Sequence, residues 1–537
     1  MSKWSVLVVL AAAQFLMVLD QSVMNVSISQ LVADFDTSVT TIQAVITLYS
    51  LVMAALMITG GKLGDLWGRR RVFVIGLVIY GIGSLLTAVS WSVPTLTLGW
   101  SVLEGVGAAM VLPALVALAA GNYSGNARAT AYGVLGGVAG AGIAVGPILG
   151  GWVTTNLTWR LVFAGEVVLV IAILIGTRWI RERQRDERTD GLDWRGSVLS
   201  AVGLGLIVFG ALQASNWGWL APRNSPIEPF GFSLTPFLIA AGALVLVGFR
   251  GLERRREERG DAPLVHFRLL EIPALRSGLT MFGAQNLILM GIFFTIPLYL
   301  QVVQGFDAFE TGIRMLPVSV AMLVTAAAGA RLGSRWSPRA IIRSGLVMLL
   351  LAVGVLLATI DPEIDTTLFA IAMALLGVGM GLIVSQLGNV VQSSVGDPDR
   401  SEAGGLQYTA QQLGAALGTA VIGAVLITGL IGAFTAKIES NPAIPGDVRE
   451  QVGIRLENDV SFVSADQVRA GATAAGVDEP TVETLVDSYE EAQLRALKTA
   501  LLAAGFIVAG SFAGTRRLPT AQLGGEPDAR SSSSVAS

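Results

Sequence analysis

The chain of 537 residues contains no cysteine. Disulfides, thiolate metal sites and cysteine nucleophiles are therefore excluded. A single histidine, His266, leaves no material for a histidine metal cluster or a histidine-based triad. No G-x-x-x-x-G-K-[ST] phosphate loop occurs, and Gly60-Gly61-Lys62 lacks its spacing. ATP is thus not expected as an energy source within this chain, and no cofactor or metal is expected. Charge is scarce as well. Only 14% of residues are charged, against about 25% in soluble domains. The first apolar run lacks a small-residue cleavage site after a short core, so it reads as a retained helix rather than a signal peptide.

What is abundant is apolar length. The chain is 53% hydrophobic, with a mean hydropathy of +0.65. A helix needs roughly 20 mostly apolar residues to cross a bilayer. Fourteen stretches qualify: 4–31, 39–60, 72–92, 94–120, 128–154, 160–180, 196–214, 231–250, 274–303, 309–332, 339–360, 366–390, 403–436 and 491–514. Arginine sorts to one side of them. Lys62, Arg69, Arg70 and Arg71 follow the second stretch; Arg181, Arg183, Arg185, Arg188 and Arg195 the sixth; Arg254, Arg255, Arg256, Arg259 and Arg268 the eighth; Arg335 the tenth. The opposite connections 32–38 and 361–365 carry only acids: Asp34, Asp36, Asp361, Glu363 and Asp365. Arg223 and the long loop 437–490 break the pattern, but long loops weigh little in this rule, which places both termini in the cytoplasm. The 63 glycines suit membrane helices that approach closely.

An internal repeat gives the organisation. Leu63-Gly64-Asp65-Leu66-Trp67-Gly68-Arg69-Arg70 after the second stretch corresponds to Leu332-Gly333-Ser334-Arg335-Trp336-Ser337-Pro338-Arg339 after the tenth. Arg128, Ala131, Gly133, Gly142 and Gly146 correspond to Arg400, Ala403, Gly405, Gly414 and Gly418. Parallel six-helix repeats with a site between the halves are the architecture of rocking transporters, although the pattern alone does not forbid a channel or receptor. The expected units are 1–181, a six-helix bundle; 182–273, a linker with two inserted helices; 274–515, a second six-helix bundle with an external loop 437–490 capped by a short helix; and 516–537, a disordered cytoplasmic tail.

Three motifs then carry a resemblance. Gly61-x-Leu63-x-Asp65-x-x-Gly68-Arg69-Arg70 resembles the signature loop of the major facilitator superfamily. Gly142-x-x-x-Gly146-Pro147-x-x-Gly150-Gly151 resembles the antiporter motif of its drug exporters. Leu19-Asp20-x-Ser22-Val23-x-Asn25-Val26 resembles the first-helix motif of the fourteen-span drug:proton antiporters, the EmrB/QacA-like group. The resemblance implies an all-α integral membrane protein with the major facilitator fold in fourteen helices, in a bacterial plasma membrane. It further implies export of a lipophilic small molecule in exchange for protons, by a monomer with no nucleic-acid partner. In two places the chain departs from the group's pattern. Ser101 stands where the fourth helix usually carries arginine and Glu104 where it carries glutamine, while Glu166 replaces asparagine in the sixth.

Elementary chemistry assigns roles to these residues. Asp65, Arg69 and Arg70 can pair with one another and with helix ends, holding one mouth closed. Gly142, Gly146 and Gly150 recur every four residues, and Pro147 bends the helix, so this face reads as a packing seal or hinge. A carboxylate costs at least about 2.5–3.5 kcal/mol in the bilayer and persists for a reason. Asp20, Glu104 and Glu166 are accordingly the candidate proton carriers; by depth Glu104 and Asp20 come first, and Glu166, nearer the outer end of a peripheral helix, comes last. Added acids also suit a cationic substrate. Asn25, Gln285, Asn286, Gln386, Asn389 and Gln411 are candidates for lining the cavity, each able instead to tie two helices together. Two other readings stay open: export of one endogenous metabolite or exchange without protons, and a transporter-shaped sensor or scaffold.

Overall fold

The computed structural model describes residues 4–123, 125–180, 193–261, 263–333, 335–396, 399–441, 444–445 and 462–520. Among these, all regular structure is helical, and fourteen helices are long and apolar enough to cross a membrane. In chain order they are α1 (Ser5–Val26), α2 (Val39–Trp67), α3 (Arg69–Ala88), α4 (Val93–Ala119), α5 (Gly125–Asn156), α6 (Arg160–Gly176) and α7 (Trp194–Trp217). There follow α8 (Thr235–Arg259), α9 (Pro273–Val303), α10 (Ala308–Leu332), α11 (Pro338–Thr359), α12 (Thr366–Ser393), α13 (Arg400–Ser440) and α14 (Glu479–Gly514). Helices predominate because hydrocarbon offers no partner to a bare backbone N–H or C=O. Their ends are chemically marked. Ser38, Ser337 and Asp365 accept bonds from first-turn N–H groups, and Asp307 forms a reciprocal capping box with Glu310.

Boundaries differ from the sequence reading in several places, α2 for one running on to Trp67. The first stretch does not run to residue 31: α1 stops at Val26, and a separate helix occupies Ile28–Phe35. At the break, the Ser27 hydroxyl donates to Val23 O (3.1 Å) and pairs with Thr154 Oγ1 of α5 (2.9 Å). Beyond residue 250, α8 continues through its arginine-rich last turns to Gly260, whose φ of 78° closes it. Twelve residues before its expected start, α14 begins at Glu479, and Ala465–Ala474 forms the short helix expected in the long loop. The arginines at 181–188, much of the loop 437–490 and most of the tail 516–537 lie outside the described residues.

The helices pack in two corresponding sets. In the first, α5 lies on α1, and α4 lies on α2 and α3, with α6 behind α3; in the second, α13 lies on α9, and α12 on α10 and α11. Adding eight to each helix number converts one set into the other. The halves meet through α5 against α10 and α2 against α13, which the same operation exchanges. Of the inserted pair, α7 leans on α2 and α13, and α8 packs on α7. Glycines set the closest crossings. On α5, a side chain at Gly142, Gly146 or Gly150 would run into Val18, Ser22 or Val23 of α1; on α13, one at Gly414 or Gly418 would run into the α9 backbone at Gly283 or Leu287.

Candidate functional site

Three acids that the sequence places on three different helices converge inside the first half. Asp20 of α1, Glu104 of α4 and Glu166 of α6 are 0%, 0% and 1% exposed, and one carboxylate oxygen of each lies within 4.8 Å of the others. Glu166 is therefore not peripheral, as its distance along α6 suggested; that helix turns it inward. Each acid is held by neutral donors. Trp100 Nε1 donates to both Asp20 oxygens at 2.9 and 3.1 Å. Tyr80 Oη and Ser84 Oγ each donate to Glu166 Oε2 at 3.2 Å, and Thr87 Oγ1 donates to Glu104 Oε1 at 3.3 Å. Glu104 Oε2 and Glu166 Oε1 have no hydrogen-bond partner.

No basic side chain among the described residues forms an ion pair with any of the three. Ser101, in the place of the group's arginine, is fully buried and donates to Val45 O at 2.7 Å. Two full charges at this spacing repel by about 3.5 kcal/mol at an effective dielectric of about 20. Three such pairs are not tolerable, so the cluster must carry positive charge as bound protons or as a cation.

Local backbone aims these groups. Thr97–Glu104 is wound as a π-helix, a wider turn that recurs at functional sites, and it carries both Trp100 and Glu104. Tyr49 of α2 stacks on Trp100, centroids 4.9 Å apart and planes 5° from parallel. The α3–α4 crossing is tight: an added carbon at Gly83 would sit 2.7 Å from Glu104 Cγ, and one at Gly107 2.7 Å from Gly76 O. Tyr49, Tyr80, Ser84, Thr87 and Trp100 went unnoticed in the sequence; polar or aromatic residues on apolar helices carry no signal of which neighbour they face.

The α5 glycine face, expected from the sequence to act as a seal or hinge, takes a definite position. It packs on α1 on either side of Asp20, while Gly151 abuts Ala308 and Pro147 abuts Gly312, both on α10. The same helix thus touches the acid-bearing helix and the opposite half. In the signature loop, Gly68 has φ 98° and links α2 to α3, and Arg69 Nη1 donates to Ala117 O at the end of α4 (3.4 Å). Gly61 approaches Pro113 of α4. The side chains of Asp65, Arg128 and Arg400 lie outside the described residues; Arg70 is half-buried.

The candidate cavity amides divide. Gln386 spends its Nε2 on Gly329 O of α10 (2.8 Å) and Ser385 Oγ, so it ties two helices. Asn25 and Asn286 donate one turn back, to Gln21 O (2.8 Å) and Phe282 O (3.1 Å). The Oε1 of Gln285 is buried without a partner, Gln411 is half-buried, and Asn389 is exposed. The amides that bridge the halves are mostly others. Gln21 donates to Gln412 Oε1 (3.2 Å), Gln43 to Thr419 O (2.9 Å) and Gln301 to Val26 O (2.9 Å). Gln21 is the residue after Asp20, so the acid cluster and the bridge between halves share one turn of α1.

Comparison with known proteins agrees with this architecture. A bacterial homologue of the human lysosomal transporter Spinster, in an inward-facing and occupied conformation, superposes with a TM-score of 0.60 over 96% of this chain and 97% of its own, at 15% identity. A probable actinorhodin transporter of Streptomyces coelicolor is 31% identical over 81% of this chain and 75% of its own length. A puromycin resistance protein of Streptomyces alboniger is 32% identical over 83% and 86%. A multidrug efflux pump of Mycolicibacterium smegmatis is 29% identical over 95% of both. The sequence profile of the Major Facilitator Superfamily matches residues 10–419. With fourteen membrane helices in two corresponding halves, the chain belongs to the major facilitator superfamily of membrane transporters.

Proposed function

We propose that this protein exports lipophilic, cationic compounds across a bacterial plasma membrane in exchange for protons, as a monomer with both termini in the cytoplasm. The observation that carries the reading is the Asp20–Glu104–Glu166 cluster, three buried carboxyls with no basic counter-group among the described residues. Such a cluster can gain and lose positive charge, and that is what coupling requires. Its surroundings link it to movement. The Gly142–Gly146–Gly150 face packs beside Asp20, and the same helix reaches α10 of the opposite half through Pro147 and Gly151. A change of charge at the cluster alters the packing of α1, and α5 carries that change to the interface between halves. Relatives named as antibiotic and multidrug exporters support the substrate class. Once it has released protons, the cluster favours positively charged cargo nearby. A sensor or scaffold has no evident use for an acid cluster that costs this much to bury.

The test is efflux of a panel of lipophilic dyes, cationic and neutral, from sodium-free proteoliposomes with and without an imposed pH gradient. Uphill efflux of cationic dyes only with the gradient is expected. Efflux indifferent to the gradient, or none for any dye, would overturn the reading.

A further inference from the structure

We propose that Ser319 of α10 is a positioning residue of the exchange cycle: its hydroxyl replaces, from the opposite half, the backbone donor that Pro147 removes from α5. Proline has no N–H, and its ring crowds the carbonyl four residues earlier, so within α5 the carbonyl of Ile143 loses its helical partner. Hydrocarbon offers no water to take that place. The opposite half supplies the donor instead: Ser319 Oγ donates to Ile143 O at 3.3 Å. Ser319 is 1% exposed and Ile143 is half-buried. From the sequence Pro147 reads only as a bend, and nothing there points to Ser319.

The bond lies on the seam between the halves. Ala308, Gly312, Met315 and Ser319 recur at helical spacing on one face of α10. Along that face Ala308 meets Gly151, Gly312 meets Pro147 itself, and Phe309 N donates to Thr155 Oγ1 at 3.1 Å. The other seam, α2 against α13, is built differently. In the register of the repeat, Gln43 corresponds to Gly312, and Ala415 and Thr419 correspond to Ile143 and Pro147. Thr419 keeps its N–H, so the Ala415 carbonyl needs no donor from outside, and the bond between halves runs from Gln43 to Thr419 O instead (2.9 Å). The borrowed hydroxyl occurs on the seam that carries the proline. Its consequence is conformational. While α5 and α10 are joined, Ile143 O is satisfied; when the halves part here, Ser319 leaves and the carbonyl must be hydrated in the opened cleft. Pro147 thus makes the partner of one carbonyl conditional on the state of the seam, and the bond favours the joined state. Resting on the exporter reading for the use of this motion, Ser319 helps set how often the seam opens in each cycle.

The experiment uses the absence of native cysteine. Met315→Cys places a single thiol on the seam at a position that is 0% exposed. Its rate of reaction with dilute soluble maleimide, in the purified full-length protein in detergent, follows the population with the seam open. Adding Ser319→Ala should speed labelling roughly ten-fold, the shift expected when one buried carbonyl is stripped of its donor. Ser319→Thr keeps the hydroxyl and should keep the original rate. Pro147→Ala gives α5 its own N–H at this carbonyl, so in that background Ser319→Ala should change the rate little. Unchanged labelling in Ser319→Ala overturns the proposal. So does an equal acceleration in the Pro147→Ala background, which would make Ser319 a packing residue and nothing more. A thiol at Ala500, 0% exposed on α14, which packs on α13 and α11, checks for general loosening; equal acceleration there also overturns the proposal. Labelling needs neither cargo nor gradient, so the two ideas fail separately. A protein that exports no dye can still show the linked effect of Ser319 and Pro147, and an active exporter can lack it.

Discussion

Gly146 sits at one of the tight helix crossings. A single carbon added there would overlap Ser22 Cβ of α1, one helical turn or less from Asp20, and leucine adds three more carbons. Inserting carbons into a packed seam costs typically about 1–3 kcal/mol, and the upper end applies where helix backbones rather than flexible tips face each other. About 3 kcal/mol corresponds to a shift of roughly a hundred-fold against the conformer in which α5 is seated on α1. Gly146→Leu should therefore end efflux while the protein still inserts and purifies, and Gly146→Ala should fall between. The internal control is Gly136 on the same helix, which is exposed and has open space where a side chain would go. Gly136→Leu should transport normally. The assay is dye efflux from proteoliposomes, with a melting curve in detergent for each variant. Near-normal efflux by Gly146→Leu would falsify the seal, and equal loss in Gly136→Leu would show that the effect is not steric contact with α1.

Two further outcomes concern the ends of helices. Gly68 sits at φ 98° and ψ 132°, sparsely populated backbone that costs a residue with a side chain about 1–3 kcal/mol, so Gly68→Ala should lower the melting temperature, and an unchanged melt would refute the strain. His266, between α8 and α9, is bonded to Glu402 through both its backbone N–H (2.6 Å) and Nδ1 (2.7 Å). The Glu402 carboxylate raises the histidine's pKa above the ordinary 6.5, against the opposing effect of partial burial. A raised folded-state value stabilises fully below 6.5 and is lost as pH climbs through that higher value. Melting curves should accordingly show His266→Gln more destabilised at mildly acidic pH than at pH well above neutral; equal loss at both would contradict the pairing.

Much of the fold is legible in the sequence, because length and hydropathy decide what can cross a bilayer. The fourteen apolar runs each overlap one membrane helix, and Gly142 and Gly146 meet α1 as Gly414 and Gly418 meet α9. Less legible is anything set by a neighbour. The break at Ser27 lies in an apolar run and depends on Thr154, 127 residues away. The π-helical turn at Thr97–Glu104 is invisible because its residues are as apolar as an ordinary helix. Glu166 was placed by its distance along one helix, whereas its position is decided by the face of α6 turned toward Tyr80 and Ser84 of α3. The sequence leaves Gln386 either lining the cavity or tying two helices, and only the structure shows its bond to the carbonyl of Gly329. Periodicity locates a residue on its own helix; only packing says what it meets.

Whether the three acids act as one unit is tested most directly by accumulation of a cationic dye against an imposed pH gradient, run beside gradient-free counterflow, in sodium-free proteoliposomes. Asp20→Asn, Glu104→Gln and Glu166→Gln keep the shape of each side chain and remove its ability to carry a proton. With one carboxylate oxygen of each acid within 4.8 Å of the others and no basic partner among the described residues, the cluster should fail as a unit. All three variants are expected to lose uphill accumulation while retaining counterflow, with Glu166→Gln as severe as Glu104→Gln. Full uphill accumulation by Glu166→Gln, with loss confined to the other two, would contradict a shared three-carboxyl site.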